Sequence, residues 1–141
     1  MVIIADTREQ RPYRFVGLPV VFATLHTGDY SIKGFEDRVS IERKEYGDFL
    51  NCVGREHKRF SAEMARILKF EFKVLIIEAE VRAIAEGQHP KSKVDPSAAI
   101  GMITRLSVQG IPVLCCADRA LGESMTLRFL KRVYLTLRGI K

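Results

Sequence analysis

Asp29, Glu42 and Lys44 are the residues whose types and spacing suit chemistry on a phosphate group. In the run Val39-Ser40-Ile41-Glu42-Arg43-Lys44, Val39, Ile41 and Arg43 alternate with Ser40, Glu42 and Lys44. If the run is a β-strand, Glu42 and Lys44 share one face and the apolar pair takes the other. Two residues of rise separate the Glu42 and Lys44 Cα atoms by about 6.6 Å. At that distance a carboxylate acting through a divalent metal and an ammonium acting directly both reach one phosphate. Asp29 follows the turn-prone Gly28. The loop Lys33-Gly34-Phe35-Glu36-Asp37-Arg38 can fold its segment back beside the Glu42 strand, setting a second carboxylate next to the first. Mg²⁺ prefers six oxygens at about 2.0 to 2.1 Å and takes one or two protein carboxylates, with waters and phosphate oxygens completing its shell. The pattern therefore predicts a metal-dependent nuclease site with Asp29 and Glu42 as ligands, Mg²⁺ as the ion and Mn²⁺ as a substitute.

The elements that must position these residues are legible from periodicity. Val2 to Ala5 is a short apolar run that delivers Asp6 at its carboxyl end, where α/β sheets place ligands. Arg8 and Glu9 follow in a loop, and by themselves Asp6, Arg8 and Glu9 read as a turn held by a surface ion pair. Val20 to Leu25, Tyr30 with Ile32, Val39 to Arg43, Lys73 to Glu78 and Val113 to Cys116 are the further strands. Arg43 alternates toward the apolar face, so its guanidinium needs a buried partner, for which Asp48 and Glu9 are the candidates. Asp48 enters a helix that carries Phe49, Leu50 and Val53, where a carboxylate near the amino terminus is favoured.

A helix is expected over Gly54 to Phe70, with Phe60, Met64, Ile67 and Leu68 on the core side and Arg55, Arg59 and Arg66 in a row elsewhere that Glu63 partly neutralises. Arg55 and Arg59 are candidate phosphate contacts, against the plainer reading of a solvated face. Val81 to Ala85 reads as a short helix and Gly87 to Pro96 as a loop in which Lys91 and Lys93 are either DNA contacts or solubilising charge. Ser97 is expected to cap a helix to Gln109 that exposes Ile100, Ile103 and Leu106. Asp118 should cap a last helix, Arg119 to Leu137, with a stripe of Leu130, Val133, Tyr134 and Leu137. Leu121, Met125, Leu127, Phe129 and Leu135 exceed one stripe, which predicts an exposed patch and self-association. The result is an α/β fold with a mixed central sheet of five or six strands flanked by helices.

Composition agrees with a single globular domain over residues 1–141: 47% of residues are hydrophobic and 28% charged, ordinary usage for one core. Lys and Arg outnumber Asp and Glu by 23 to 17, which suits a polyanionic partner. The amino terminus turns acidic too soon for a signal peptide, and no apolar run nears the roughly 18 residues of a membrane span. The expected location is intracellular, cytoplasm or nucleus. Cys52, Cys115 and Cys116 lack metal-ligand spacing and read as reduced packing residues. His26 precedes the Asp29 turn, but a loop histidine is ordinarily solvated and is not assigned as a base.

Gly28-Asp29-Tyr30, the later Glu42-Arg43-Lys44 with Asp48 four residues on, and Asp6-Thr7-Arg8-Glu9 near the start together resemble the XPF family of structure-specific DNA endonucleases. The resemblance covers nearly the whole chain, including Arg55, the helix Phe60 to Arg66 and the strand Val74 to Glu78. It implies a restriction-endonuclease-like fold and hydrolysis of DNA phosphodiesters at branches such as flaps and forks, in repair or recombination. It makes Asp6 and Glu9 candidates for a third carboxylate or a water-positioning group, and Arg8 a partner for phosphate or a site carboxylate. By the same resemblance the Arg43 carbonyl is a further metal ligand and Asp48 a supporting residue. It also implies dimerisation, with a like or a related subunit. Ending at Lys141, the chain is expected to have no tandem helix-hairpin-helix module of the kind that commonly follows in this family. A non-catalytic DNA-binding subunit and a junction-resolvase-like nuclease of the same fold are the alternatives.

Overall fold

A computed structural model describes residues 1–89 and 91–141. Among the described residues the chain forms six strands and five helices: β1 (Ile3–Asp6), β2 (Val20–Ala23), β3 (Tyr30–Ile32), β4 (Val39–Glu45), α1 (Tyr46–Val53), α2 (His57–Ile67), β5 (Phe72–Glu78), α3 (Val81–Ala85), α4 (Pro96–Val108), β6 (Val113–Cys115) and α5 (Arg119–Leu137). No helix among them is long and apolar enough to cross a membrane. The strands make one mixed sheet in the order β2-β1-β3-β4-β5-β6. β3 lies antiparallel between β1 and β4, whereas β1–β2, β4–β5 and β5–β6 are parallel. Its parallel pairs need crossovers, and α1–α2 and α3–α4 supply those between β4, β5 and β6.

The sheet has a hydrophobic cluster on each face. α1 to α4 pack Phe49, Phe60, Ile67, Ile84 and Leu106 onto Leu75 and Ile77. On the other face α5, through Leu130 and Val133, and the 7–19 loop, through Tyr13 and Phe15, cover Ile3, Ile41, Val74 and Ile76. β5, buried on both faces, reads as the continuous apolar run of an inner parallel strand.

Several local expectations are corrected. The helix expected over Gly54 to Phe70 begins only at His57, after a break at Gly54 that separates it from α1. It ends at Ile67, which leaves Leu68 39% exposed. Ser97 does not cap α4: Asp95 does, accepting from the Ser97 N–H at 3.0 Å, with Pro96 in the first turn, where a missing N–H costs nothing. Of the expected loop to Pro96, Pro90 lies outside the described residues. α4 does not expose Leu106, which is buried, and Ile100 and Ile103 are half-buried against the same core. The reason is that α4 packs on α1 and α3 as well as beside β6, so it covers more than one stripe. Likewise Met125, Leu127 and Phe129 of α5 are partly covered by the second cluster, to which the 7–19 loop contributes. The cap of α5 is as expected, Asp118 accepting from the Leu121 N–H at 2.8 Å.

Candidate active site

Strand direction assembles the site. β1, β4 and β5 end at the same edge of the sheet at which antiparallel β3 begins, so Asp6, Asp29, the end of β4 and Glu78 converge there. Gly28 makes the entry to β3 possible. Its φ is +88°, and a Cβ would lie 2.3 Å from Ser40 Oγ, so a side chain is excluded by both backbone conformation and space. The Asp29 N–H then donates to the Ile41 carbonyl at 2.7 Å, and the Asp6 N–H to the Asp29 carbonyl at 2.8 Å. Asp29 Oδ2 accepts the Arg43 N–H at 2.8 Å, which pins the carboxylate beside β4.

Alternation along β4 holds as predicted: Arg43 takes the α5 face, and Glu42 and Lys44 the α1–α2 face. That second face is not open, however. Ser40 is fully buried and Glu42 is 5% exposed, because α1 and α2 lie across it. Burial, then the charge of Asp29, pushes the Glu42 carboxyl well above its usual range, and burial raises Asp29 as well. Lys44 Nζ lies 3.6 Å from Glu42 Oε1 and 3.7 Å from Glu63 Oε1. Burial acts to depress this lysine, but the two carboxylates outweigh it and hold it above the ordinary lysine range. Glu63, which the helical spacing sets in the surface arginine row, thus faces the site from α2 because of the way α2 packs. Its Oε1 is buried without a hydrogen bond.

On the opposite face Arg43 is clamped. Its Nε and Nη2 donate to Glu78 Oε2 and Oε1 at 2.8 and 3.0 Å, a bidentate geometry. Nη2 also reaches Glu45 at 3.2 Å and Nη1 Glu9 at 3.4 Å, and the guanidinium lies 5.0 Å from the Tyr13 ring centre. Tyr13 Oη donates to Glu78 Oε2, and Gly122 of α5 leaves room for the pair, since a Cβ there would meet Tyr13 Oη at 2.5 Å. Glu9 was rightly a candidate partner for Arg43. Asp48 was not: it is exposed in the first turn of α1 and makes no salt bridge among the described residues. Glu78, the principal partner, went unassigned because it ends a strand 35 residues away in sequence.

Asp6, a candidate third carboxylate or water-positioning group, has both carboxylate oxygens engaged. Oδ1 accepts the Leu25 N–H at 2.8 Å and Arg8 Nη2 at 3.2 Å, while Oδ2 accepts Arg8 Nε at 2.9 Å and the Arg8 N–H at 3.2 Å. Burial opposes ionisation, but these bonds prevail and hold Asp6 below its usual range. It braces the end of β1 and presents Arg8, whose side chain is 66% exposed. Glu9 accepts from Tyr30 Oη at 3.4 Å, and burial followed by the Asp29 charge raises its pKa.

Arg8, Glu9, Asp29, Glu42, Lys44 and Asp48 are among the residues lining one cleft of about 440 Å³. Arg55 and Arg59, both exposed, line an adjoining hollow that also reaches Lys44 and Glu63. Arg55 continues into a groove shared with His89, Lys91 and Lys93. The basic residues singled out from sequence therefore adjoin one another on one flank of the cleft. Cys52 lies beside Lys44, but burial pushes its thiol up to about 11, so it is protonated and inert.

Buried Glu42 and half-buried Asp29 together leave negative charge that one lysine shared with Glu63 does not balance. That donor set fits a small divalent cation.

A search of curated protein sequences finds no match for this chain. Among solved structures it is similar to XPF from Aeropyrum pernix, at 20% identity and a TM-score of 0.71, and to XPF from Aeropyrum pernix in complex with DNA, at 19% and 0.70. Each likeness covers 98% of this chain and 66% of the other, so this chain spans slightly less than two thirds of those proteins. They show the restriction-endonuclease-like fold. The ERCC4 domain profile matches residues 5–129, a span that contains the end of β1, every other strand and all of the cleft. On that match the chain belongs to the ERCC4 domain family, the XPF-type nuclease domains.

Proposed function

We propose that this domain is a divalent-metal-dependent DNA endonuclease that cuts phosphodiester bonds at branched structures such as flaps and forks. The observation that carries the reading is buried Glu42 and half-buried Asp29 lining one cleft, with Lys44 3.6 Å from Glu42. Asp29, Glu42 and the Arg43 carbonyl would hold Mg²⁺, or Mn²⁺ in its place, which when bound lowers the pKa of water and screens charge on phosphoryl oxygens. Lys44 then presents a fixed ammonium to the charge that develops on the phosphate. Arg43, gripped by Glu78, holds β4 in place and keeps its own N–H on Asp29, so the carboxylate does not swing away. Glu9 and Asp48 line the cleft where an attacking water is oriented. The flank of Arg55, Arg59, Lys91 and Lys93 binds backbone phosphates, consistent with the DNA that one similar structure holds. The same chemistry would serve repair or recombination.

The test is cleavage of flap, fork, four-way junction and linear duplex of matched sequence, with Mg²⁺, with Mn²⁺ and with EDTA. Cutting of the branched substrates that requires metal and disappears in Glu42→Gln is the expected result. A protein that binds these DNAs but cuts none of them with either metal is a non-catalytic subunit, and the reading fails.

A further inference from the structure

We propose that a second groove, on the far side of the cleft from Arg55 and Lys93, binds a single-stranded arm of DNA by stacking a base on Phe22. The inference rests on the nuclease reading for its biological sense, but its physical basis is separate. Phe22 lies on β2, one of the two edge strands of the sheet, and is 61% exposed. A phenylalanine so exposed on an edge strand contributes nothing to the core. With Val20, Tyr13 and Pro12 it walls an open groove of about 570 Å³, and the remaining lining residues are Arg11, Arg14 and Arg119.

The charges of this groove are arranged for an anion. Arg119 Nη2 donates to the Arg11 and Pro12 carbonyls at 2.7 and 2.9 Å, and its guanidinium lies 5.0 Å from the Tyr13 ring centre. Its Nη1 is buried without a hydrogen-bond partner, and no carboxylate forms a salt bridge with it among the described residues. Arg119 is thus a positive charge fixed in place and not balanced. The neighbouring acid, Glu123, accepts the Arg14 N–H at 3.1 Å and so holds the loop, leaving the Arg14 side chain exposed. Arg11, 69% exposed and 3.6 Å from Glu45, lines both this groove and the catalytic cleft. A strand leaving the cleft past Arg11 therefore enters a channel with cations for its phosphates and one bare aromatic face.

That combination selects for single strands. Backbone phosphates are common to both forms of DNA, but only an unpaired base can leave its stack and lie on an aromatic ring, a contact tolerant of sequence. With Arg55, Arg59, Lys91 and Lys93 on the other flank, the cleft has a basic track to either side, as a junction of two unlike arms requires.

The sequence contains no tryptophan, so Phe22→Trp introduces a single tryptophan at the proposed stacking point, excited at wavelengths where the four tyrosines do not absorb. In EDTA, where no cutting occurs, oligodeoxythymidylate should quench its emission, with the same half-saturation as the anisotropy of a labelled oligonucleotide. Phe22→Ala should weaken oligodeoxythymidylate binding about 5-fold or more, with blunt duplex affinity changed by less than about twofold. Phe22→Leu, which keeps an apolar side chain but no ring, should behave as Phe22→Ala. Emission that does not respond at saturating oligonucleotide overturns the proposal. So does an equal loss for single strand and duplex, or full affinity in Phe22→Leu, which would mark the patch as a surface for another protein. Because the assay is metal-free, quenching in a protein that never cuts would sink the nuclease reading alone, and normal cutting without quenching would sink this one alone.

Discussion

At the scale of single residues, the site is a concentration of charge that the fold tolerates. Glu42 and Asp29 both have raised pKa values, so the folded state binds more protons than the unfolded state at pH values between the ordinary carboxylate range and the raised ones. Stability contributed by the pair is therefore present at low pH and is lost as pH rises through that window. Glu42→Gln removes the charge but keeps the shape, and should raise the melting temperature at pH 7 by about 3 °C or more while abolishing cleavage. A lower melting temperature would show that the ionised pair is stabilising. The same shifts predict that cleavage rises with pH and that its acid limb lies above the ordinary carboxylate value of about 4.3, because both groups must ionise to hold a cation. A pH–rate profile at saturating metal checks this. Arg43 behaves oppositely. Glu78→Gln leaves a buried guanidinium without its bidentate partner and should cost about 3 to 5 kcal/mol in urea unfolding. Wild-type stability in that variant would mean that Glu9 and Glu45 suffice.

At the scale of elements, the site depends on how closely β3 can approach β4. Gly28 sits at φ +88° with Ser40 Oγ in the space a Cβ would fill. Gly28→Ala should shift the Asp29 backbone away from Ile41, reduce cleavage at least 100-fold by analogy with misplacement of a positioning residue, and leave α5 and the distant helices folded by circular dichroism. Cleavage within a factor of about three of wild type would show that the β3 entry accommodates a side chain. The helices matter in a second way. Because α1 and α2 close over the face that carries Glu42, Glu63 comes to face Lys44 without any local signal in the sequence for it.

At the scale of the whole molecule, excess basic charge has a geometry. Neutralising about six phosphates gives a slope of log K against log salt near −5 for duplex DNA, and Arg55→Ala or Arg59→Ala should each flatten it by about one. Binding isotherms between low and moderate salt measure this, and unchanged slopes in both variants return that flank to a solvated face. Self-association is proposed on narrower grounds than the sequence offered, since α4 and much of α5 cover themselves within the domain. What is left on α5 is Leu121, 42% exposed near its start, and half-buried Leu135 near its end. Sedimentation equilibrium at micromolar concentration should still show a dimer weakened by Leu121→Asp. A monomer mass alone, with no partner subunit present, overturns homodimerisation.

Period-two alternation in β4, the Gly-Asp turn and the apolar runs were enough to place Asp29, Glu42 and Lys44 together, because strand geometry and turn chemistry are local. The mixed sheet with flanking helices followed for the same reason, and so did the cap at Asp118. Four things waited for tertiary structure: the burial of Glu42, the pairing of Arg43 with Glu78, the capture of Asp6 by Arg8 and Leu25, and the approach of Glu63 to Lys44. Each depends on where a segment distant in sequence, or the curvature of a turn, finally brings a polar group. The same holds for α4, whose spacing defined an apolar face without saying how many neighbours would cover it. Periodicity specifies which side of an element is apolar; the packing of elements around it decides which charges lie buried and what faces them.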